Sequence, residues 1–218
     1  MQKILLASIV LLFSSPIYAQ FSKGTRMLSG SFYLNQNKQE NTTTGNVAQI
    51  SRYNTAGITM GVSIFDNASS FNTFSLLYNR QASKNNFGIN PSDAINQAAG
   101  LVYTHTKLFP LINKLSVSVG AGGSVLLNNN KTFGLAGTVK SSGFQVTAGV
   151  SPGLLYQMKP RLLLQAQFSN LLAINYSYLK SGKSAGIEKS VQQSLNLYAG
   201  TNLGSLSGFG IGFYWLMK

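Results

Sequence analysis

"LSVSVGAGGSVL", residues 115–126, sets an apolar or very small residue at every second position and fills most of the places between with Ser or Gly. A period of two is the mark of a strand, whose successive side chains point to opposite faces. One face here carries Leu115, Val117, Val119, Ala121 and Val125; the other carries Ser116, Ser118, Gly120, Gly122 and Ser124. Neither face bears a charge, so the fold is decided by which of them meets water.

The same alternation recurs along the chain. Leu28, Gly30, Phe32 and Leu34 alternate with Met27, Ser29, Ser31 and Tyr33, and Ala56, Ile58, Met60, Val62 and Ile64 alternate with Thr55, Gly57, Thr59, Gly61 and Ser63. Phe74, Leu76 and Tyr78 continue it in a third strand, and "GLVYTHTKLF" (100–109) gives a fourth. Residues 115–128 form the fifth strand, 144–156 the sixth, 162 to about 178 the seventh, and 190–215 hold the eighth. "GSLSG" (204–208) offers a turn inside that last span.

Connections sort by length. Short turns fall at "DNASS" (66–70), "PLINK" (110–114) and "MKPR" (158–161), and longer polar stretches begin at 35, 83, 128 and 180. Short periplasmic turns facing long extracellular loops are the asymmetry of an up-and-down barrel in an outer membrane. A soluble sandwich has no reason to sort loops by parity.

Composition assigns the faces. A surface in water normally carries about a quarter to a third charged residues, whereas charged residues are 10% of this chain and the polar faces are Ser, Thr, Gly, Asn and Gln. Those suit the interior of an eight-stranded barrel, which is only just wide enough for side chains. The expectation is an all-β, eight-stranded antiparallel up-and-down transmembrane β-barrel, with apolar residues facing lipid and with small side chains and hydrogen bonds filling the lumen. Aromatics near turns, namely Phe65, Phe71, Phe109, Phe213, Tyr214 and Trp215, are expected in the interfacial girdles.

The N-terminus reads as a leader. Lys3, an apolar run over 4–13, and Ser14, Ser15, Pro16, Ile17, Tyr18 and Ala19 have the layout of a secretory signal peptide. The apolar run is about half of the roughly 20 residues a spanning helix needs. Cleavage after Ala19 divides the chain into a signal peptide, 1–19, and one β domain, 20–218. With no Cys, the exported fold has no disulfide framework.

Seventeen basic and four acidic residues give a formal charge of +13, and loss of Lys3 leaves 16 − 4 = +12. No nucleic-acid-binding motif accompanies this excess. Anionic lipid or glycolipid is the expected counter-charge. Lys38, Lys84, Lys131, Lys140, Lys180, Lys183 and Lys189 lie in or beside the expected outer loops, where lipopolysaccharide phosphates would meet them.

Chemistry is sparse. The acids are Glu40, Asp66, Asp93 and Glu188, with Asp66 expected in a periplasmic turn and the others in outer loops, leaving no carboxylate for the lumen. That argues against paired-carboxylate catalysis. One His and no Cys argue against a metal site, and no cofactor is expected. His105, flanked by Thr104 and Thr106, is expected as a lumen or rim residue bonded to Asn, Gln or Tyr. "GAGG" (120–123) lacks the following Lys-Ser/Thr of a phosphate loop and reads as packing at a tight wall.

"GLVYTHTKLFPLINKLSVSVGAGG" (100–123) and "SPGLLYQMKPRLLLQAQFSNL" (151–171) resemble the hairpins of small outer-membrane β-barrel proteins of the OmpA/OmpX-like class. The resemblance spans most of the mature chain on motifs of low specificity. It implies a monomeric eight-stranded barrel in the outer membrane of a Gram-negative bacterium, inserted by the outer-membrane assembly machinery. Two features depart from the class. The chain ends Phe213, Tyr214, Trp215, Leu216, Met217, Lys218, leaving the terminal aromatic signal shifted inward or absent, and it lacks the acids for lumen Arg-carboxylate pairs. The function expected is a structural or surface-interaction role without catalysis. The alternatives are a narrow pore, a lipid A-modifying hydrolase using His105, and a soluble periplasmic lipid-binding barrel.

Overall fold

The computed structural model describes residues 21–43, 46–86, 92–134, 137–168, 171–182, 189–199 and 209–217. The expected leader over 1–19 and the turn at 204–208 lie outside these residues. Ten antiparallel strands follow in order: β1 (Arg26–Thr43), β2 (Asn46–Asn67), β3 (Ser70–Asn86), β4 (Ser92–Ile112), β5 (Leu115–Gly134), β6 (Gly137–Lys159), β7 (Leu162–Phe168), β8 (Leu172–Ser181), β9 (Ser190–Ala199) and β10 (Phe209–Leu216).

Neighbours in sequence pair from β1 to β7, and β10 then lies between β7 and β1, which closes a ring of eight strands. The expected seventh strand is split: β7 pairs the lower part of β6, from Gly153 to Lys159, and β8 pairs the upper part, from Ser141 to Val150. The expected eighth strand is split likewise into β9, which pairs β8, and β10. The ladders differ in length. β5 and β6 pair from Leu115↔Tyr156 to Gly134↔Gly137, but β1 and β10 only from Met27↔Leu216 to Phe32↔Ile211.

Three two-residue turns, at 68–69, 113–114 and 160–161, gather at one end of the ring with the start of β1 and the end of β10. At the opposite end, the stretches read as long loops from 35, 83 and 128 are largely strand. β1 and β2 stay paired up to Thr43↔Asn46, and β5 and β6 up to Gly134↔Gly137. Sequences such as "NQNKQENTT" carry no apolar period because both faces of the hairpin have left the apolar belt. Ladder hydrogen bonds continue the strand there, and these leave no trace in hydropathy.

The two faces of the wall are sorted as composition requires. Leu34 (77%), Leu76 (66%) and Leu127 (64%) are exposed, as are Ile58, Met60, Leu101 and Val125, while Ser63 (0%) and Ser118 (1%) are buried. Inward hydroxyls meet across strands, with Ser63 and Thr73 at 2.7 Å and Ser177 and Ser194 at 2.7 Å. Such cross-strand pairs contribute about 0.2–1 kcal/mol each. Gly122 sits where the wall is tight: a Cβ on it would collide with the Tyr103 carbonyl oxygen of β4. "GAGG" is wall packing, as read.

The apolar core lies inside the ring at the short-turn end. Met27, Phe65, Phe71, Leu108, Leu155, Leu163, Tyr214 and Leu216 are buried together there. Phe21 stacks on Phe65 at 4.6 Å, Phe65 meets Phe71 at 5.2 Å, and Tyr214 meets Phe71 edge-on at 5.5 Å. Gly24 N–H donates to the Phe65 carbonyl and Phe65 N–H to the Thr25 carbonyl, which pins the N-terminal segment beneath this cluster. The girdle expected of Phe65, Phe71 and Tyr214 is therefore corrected: they plug the ring from within. Phe109, Phe213 and Trp215 do face outward.

Candidate functional site

Three surfaces carry the polar chemistry of the molecule: the lumen, the far end of the outer wall, and a patch of outer wall beside the short turns. In the lumen, the plug gives way to a layer of hydroxyls and amides. Ser29, Thr73, Thr106, Gln165 and Tyr214 line a cavity of about 240 Å³, and Tyr214 Oη donates to Gln165 Oε1 at 2.6 Å. An adjoining cavity of about 150 Å³ is lined by Gly120, Ser124, Thr147 and Ser151, where Gln167 Nε2 donates to Ser151 Oγ at 2.7 Å. Cavities this polar hold water. The middle of the lumen is thus roomier than the filled interior expected from sequence, and the crowding sits in the apolar plug below it.

At the far end, basic residues stand in rows across the strands. Lys38 is opposite Arg52, Arg52 opposite Lys84, and Lys84 opposite Asp93; Lys131 is opposite Lys140. Arg52, Lys84, Lys131, Lys140, Lys180 and Lys189 are exposed. They lie on strands, or beside one for Lys189, at the end where the outer loops are expected. Lys183 and Glu188 fall outside the described residues. Like charges directly opposite one another destabilise a sheet. Bound anions would offset that repulsion.

Near the short turns the outer wall carries Asp66, Asn72, Tyr103 and His105. Asp66 is on β2 beside the turn, with its side chain on the outer wall. Asn72 Nδ2 donates to both carboxylate oxygens of Asp66 at 2.8 Å, which fixes the amide so that Oδ1 faces the other way. That oxygen accepts from Tyr103 Oη at 2.8 Å and lies 2.9 Å from His105 Nδ1. An amide oxygen only accepts, so His105 Nδ1 donates to it. His105 Nδ1 is 3.6 Å from Asp66 Oδ2, with the two side chains 46% and 42% exposed. Two positions on, Lys107 holds its ammonium over the Phe109 ring at 5.6 Å.

His105 is therefore a rim residue bonded to Asn, and it is outside the lumen. Its partners, Asn72 and Asp66, offer no hydroxyl or thiol for the imidazole to activate. Asn72 and Tyr103 were not singled out by sequence reasoning. The signal was available: period two places Asn72, His105 and Lys107 on the same outward face as Phe74 and Leu101, so three polar residues in a row interrupt the apolar belt beside a turn. Among the described residues no group of three metal-ligating side chains occurs.

The geometry defines a class by its fold, an antiparallel all-β ring with an apolar outside and a polar inside. No protein-family model matches the chain, and no curated protein matches it in sequence. Among solved structures it is similar to Ail, the attachment invasion locus protein of Yersinia pestis, at 12% identity and a TM-score of 0.39, over 89% of this chain and 99% of that one.

Proposed function

We propose that this chain is an integral β-barrel of a Gram-negative outer membrane, with a structural or surface-interaction role and no catalytic one. The observation that carries the reading is the inversion of the wall, with leucines exposed and serines buried. In water, an outer surface of Leu34, Ile58, Met60, Leu76, Leu101 and Leu127 would be one contiguous apolar patch far beyond what monomeric soluble proteins show. In lipid it is the required solvent contact, and a closed ring pairs the backbone groups that hydrocarbon cannot satisfy. This also weighs against a soluble periplasmic lipid carrier, whose apolar residues would line the inside.

A surface role is favoured over catalysis because the imidazole bonds to an amide and a carboxylate, with no hydroxyl or thiol to activate. The patch that holds it also lies beside the short turns, which face the periplasm in such barrels, whereas lipid A occupies the opposite leaflet. A plugged lumen is favoured over a pore by the apolar cluster from Met27 to Leu216. We read the far-end basic rows as lipopolysaccharide-phosphate contacts, with Lys84, Lys131, Lys140, Lys180 and Lys189 on exposed positions and Lys38 and Lys183 assigned to the same set. The protein acts as a monomer, delivered by a cleaved leader and inserted by the assembly machinery.

The membrane reading is tested by placing an arginine inside the apolar belt and, as a control, one beyond it. Leu76→Arg should lower stability in vesicles by about 2–4 kcal/mol, the cost of Arg at mid-membrane, while the same change at Lys84 should be near neutral. Urea unfolding followed by the shift between folded and boiled migration on a gel measures both. A Leu76→Arg protein as stable as the parent, or recovery of the parent from the soluble periplasm, would refute the reading.

A further inference from the structure

We propose that the outer wall of β2–β5, beside the short turns, is a selective site for one phospholipid whose headgroup carries both a phosphate and a primary ammonium, the phosphatidylethanolamine class. The inference rests on the membrane reading above and adds a ligand to it. Two adjoining features carry it. The first is an apolar groove of about 520 Å³ on the outer wall, lined by Met60, Val62, Phe74, Leu101, Tyr103 and Val125. The second is the polar patch of Asp66, Asn72, His105 and Lys107, joined to the groove through Tyr103, which lines the groove and donates to Asn72.

The polarity of the arrangement fits a lipid of the leaflet on the short-turn side. The headgroup would lie at the patch and an acyl chain would run from it along the groove towards mid-membrane. A basic rim alone would suit any anionic lipid. The short-turn end indeed carries Arg26, Lys107, Lys114, Lys159 and Arg161, all exposed. Asp66 is the exception: among the described residues it is the one carboxylate at that end. Asn72 holds it in place with two hydrogen bonds while leaving it 42% exposed.

A carboxylate accepts through about four lone-pair sites, so Asp66 keeps acceptor capacity for a ligand donor. A primary ammonium supplies three such donors. A quaternary choline head supplies none, and a glycerol head carries no cation. Lys107, steadied over Phe109, is the partner for the phosphate.

The test is competitive retention. The full mature protein is folded into bilayers of equimolar phosphatidylethanolamine, phosphatidylcholine and phosphatidylglycerol with identical acyl chains, released in mild detergent, and its bound lipids are counted by native mass spectrometry. Phosphatidylethanolamine should be retained about three- to fivefold over each of the others, the ratio an exposed ion pair supports. Asp66→Asn should abolish that preference. Lys107→Gln should lower retention of all three lipids. Equal retention by an inserted, heat-modifiable protein, or a preference unchanged in Asp66→Asn, overturns the site and leaves the membrane reading standing. A protein that enters none of the bilayers overturns the membrane reading and this one with it.

Discussion

At the scale of single residues, the wall tolerates bulk according to how near the next backbone lies. A Cβ on Gly122 would collide with the Tyr103 oxygen, and nothing lies within 4 Å of one on Gly134. Gly122→Val should therefore destabilise by about 3 kcal/mol, at the upper end of ordinary overpacking. Gly134→Val should be nearly silent, and urea midpoints in vesicles compare the two. Inside and outside were legible residue by residue from period two, as Ile58 and Ser63 illustrate. Phe65 and Phe71 were misassigned even though the same period had the answer. Ile64 and Phe74 point outward, so Phe65 and Phe71, at odd spacing from them, must point inward. Proximity to a turn suggests a girdle, but the pleat fixes parity and parity decides the face.

At the scale of elements, strand existence was readable and strand extent was not. Hydropathy ends where the apolar belt ends, but the β1–β2 and β5–β6 ladders run on to Thr43↔Asn46 and Gly134↔Gly137. Those extensions bring Lys131 and Lys140 face to face, a juxtaposition invisible without the register. Replacing both with Gln should stabilise the protein by about 0.2–1 kcal/mol in vesicles of neutral lipid, since a like-charge pair is lost. In membranes containing lipopolysaccharide the sign should reverse, the parent being the more stable. Parallel urea titrations in the two membranes check this, and a gain of equal size in both would remove the phosphate assignment for these two lysines. Period two sets Asn72 and His105 on the outward face, but their meeting with Asp66 depends on the alignment of three strand segments, which only the β2–β3–β4 pairing supplies.

At the scale of the whole molecule, the ring is stoppered at one end by an aromatic stack and hollow above it. The parent should pass no steady current in planar bilayers. Phe71→Ala, which removes the ring lying between Phe65 and Tyr214, should introduce discrete conductance steps at a stability cost of about 3–5 kcal/mol. Steady current through the parent would show that the aromatic stack does not seal. The short β1–β10 ladder bears on how the molecule fails. A zipper parts where it has the fewest teeth, and among the described residues those places flank β7 and β10: six pairs join β1 to β10, six join β6 to β7 and seven join β7 to β10. Heating should thus loosen β7 and β10 first, while the tall β5–β6 hairpin is the last piece of wall left standing.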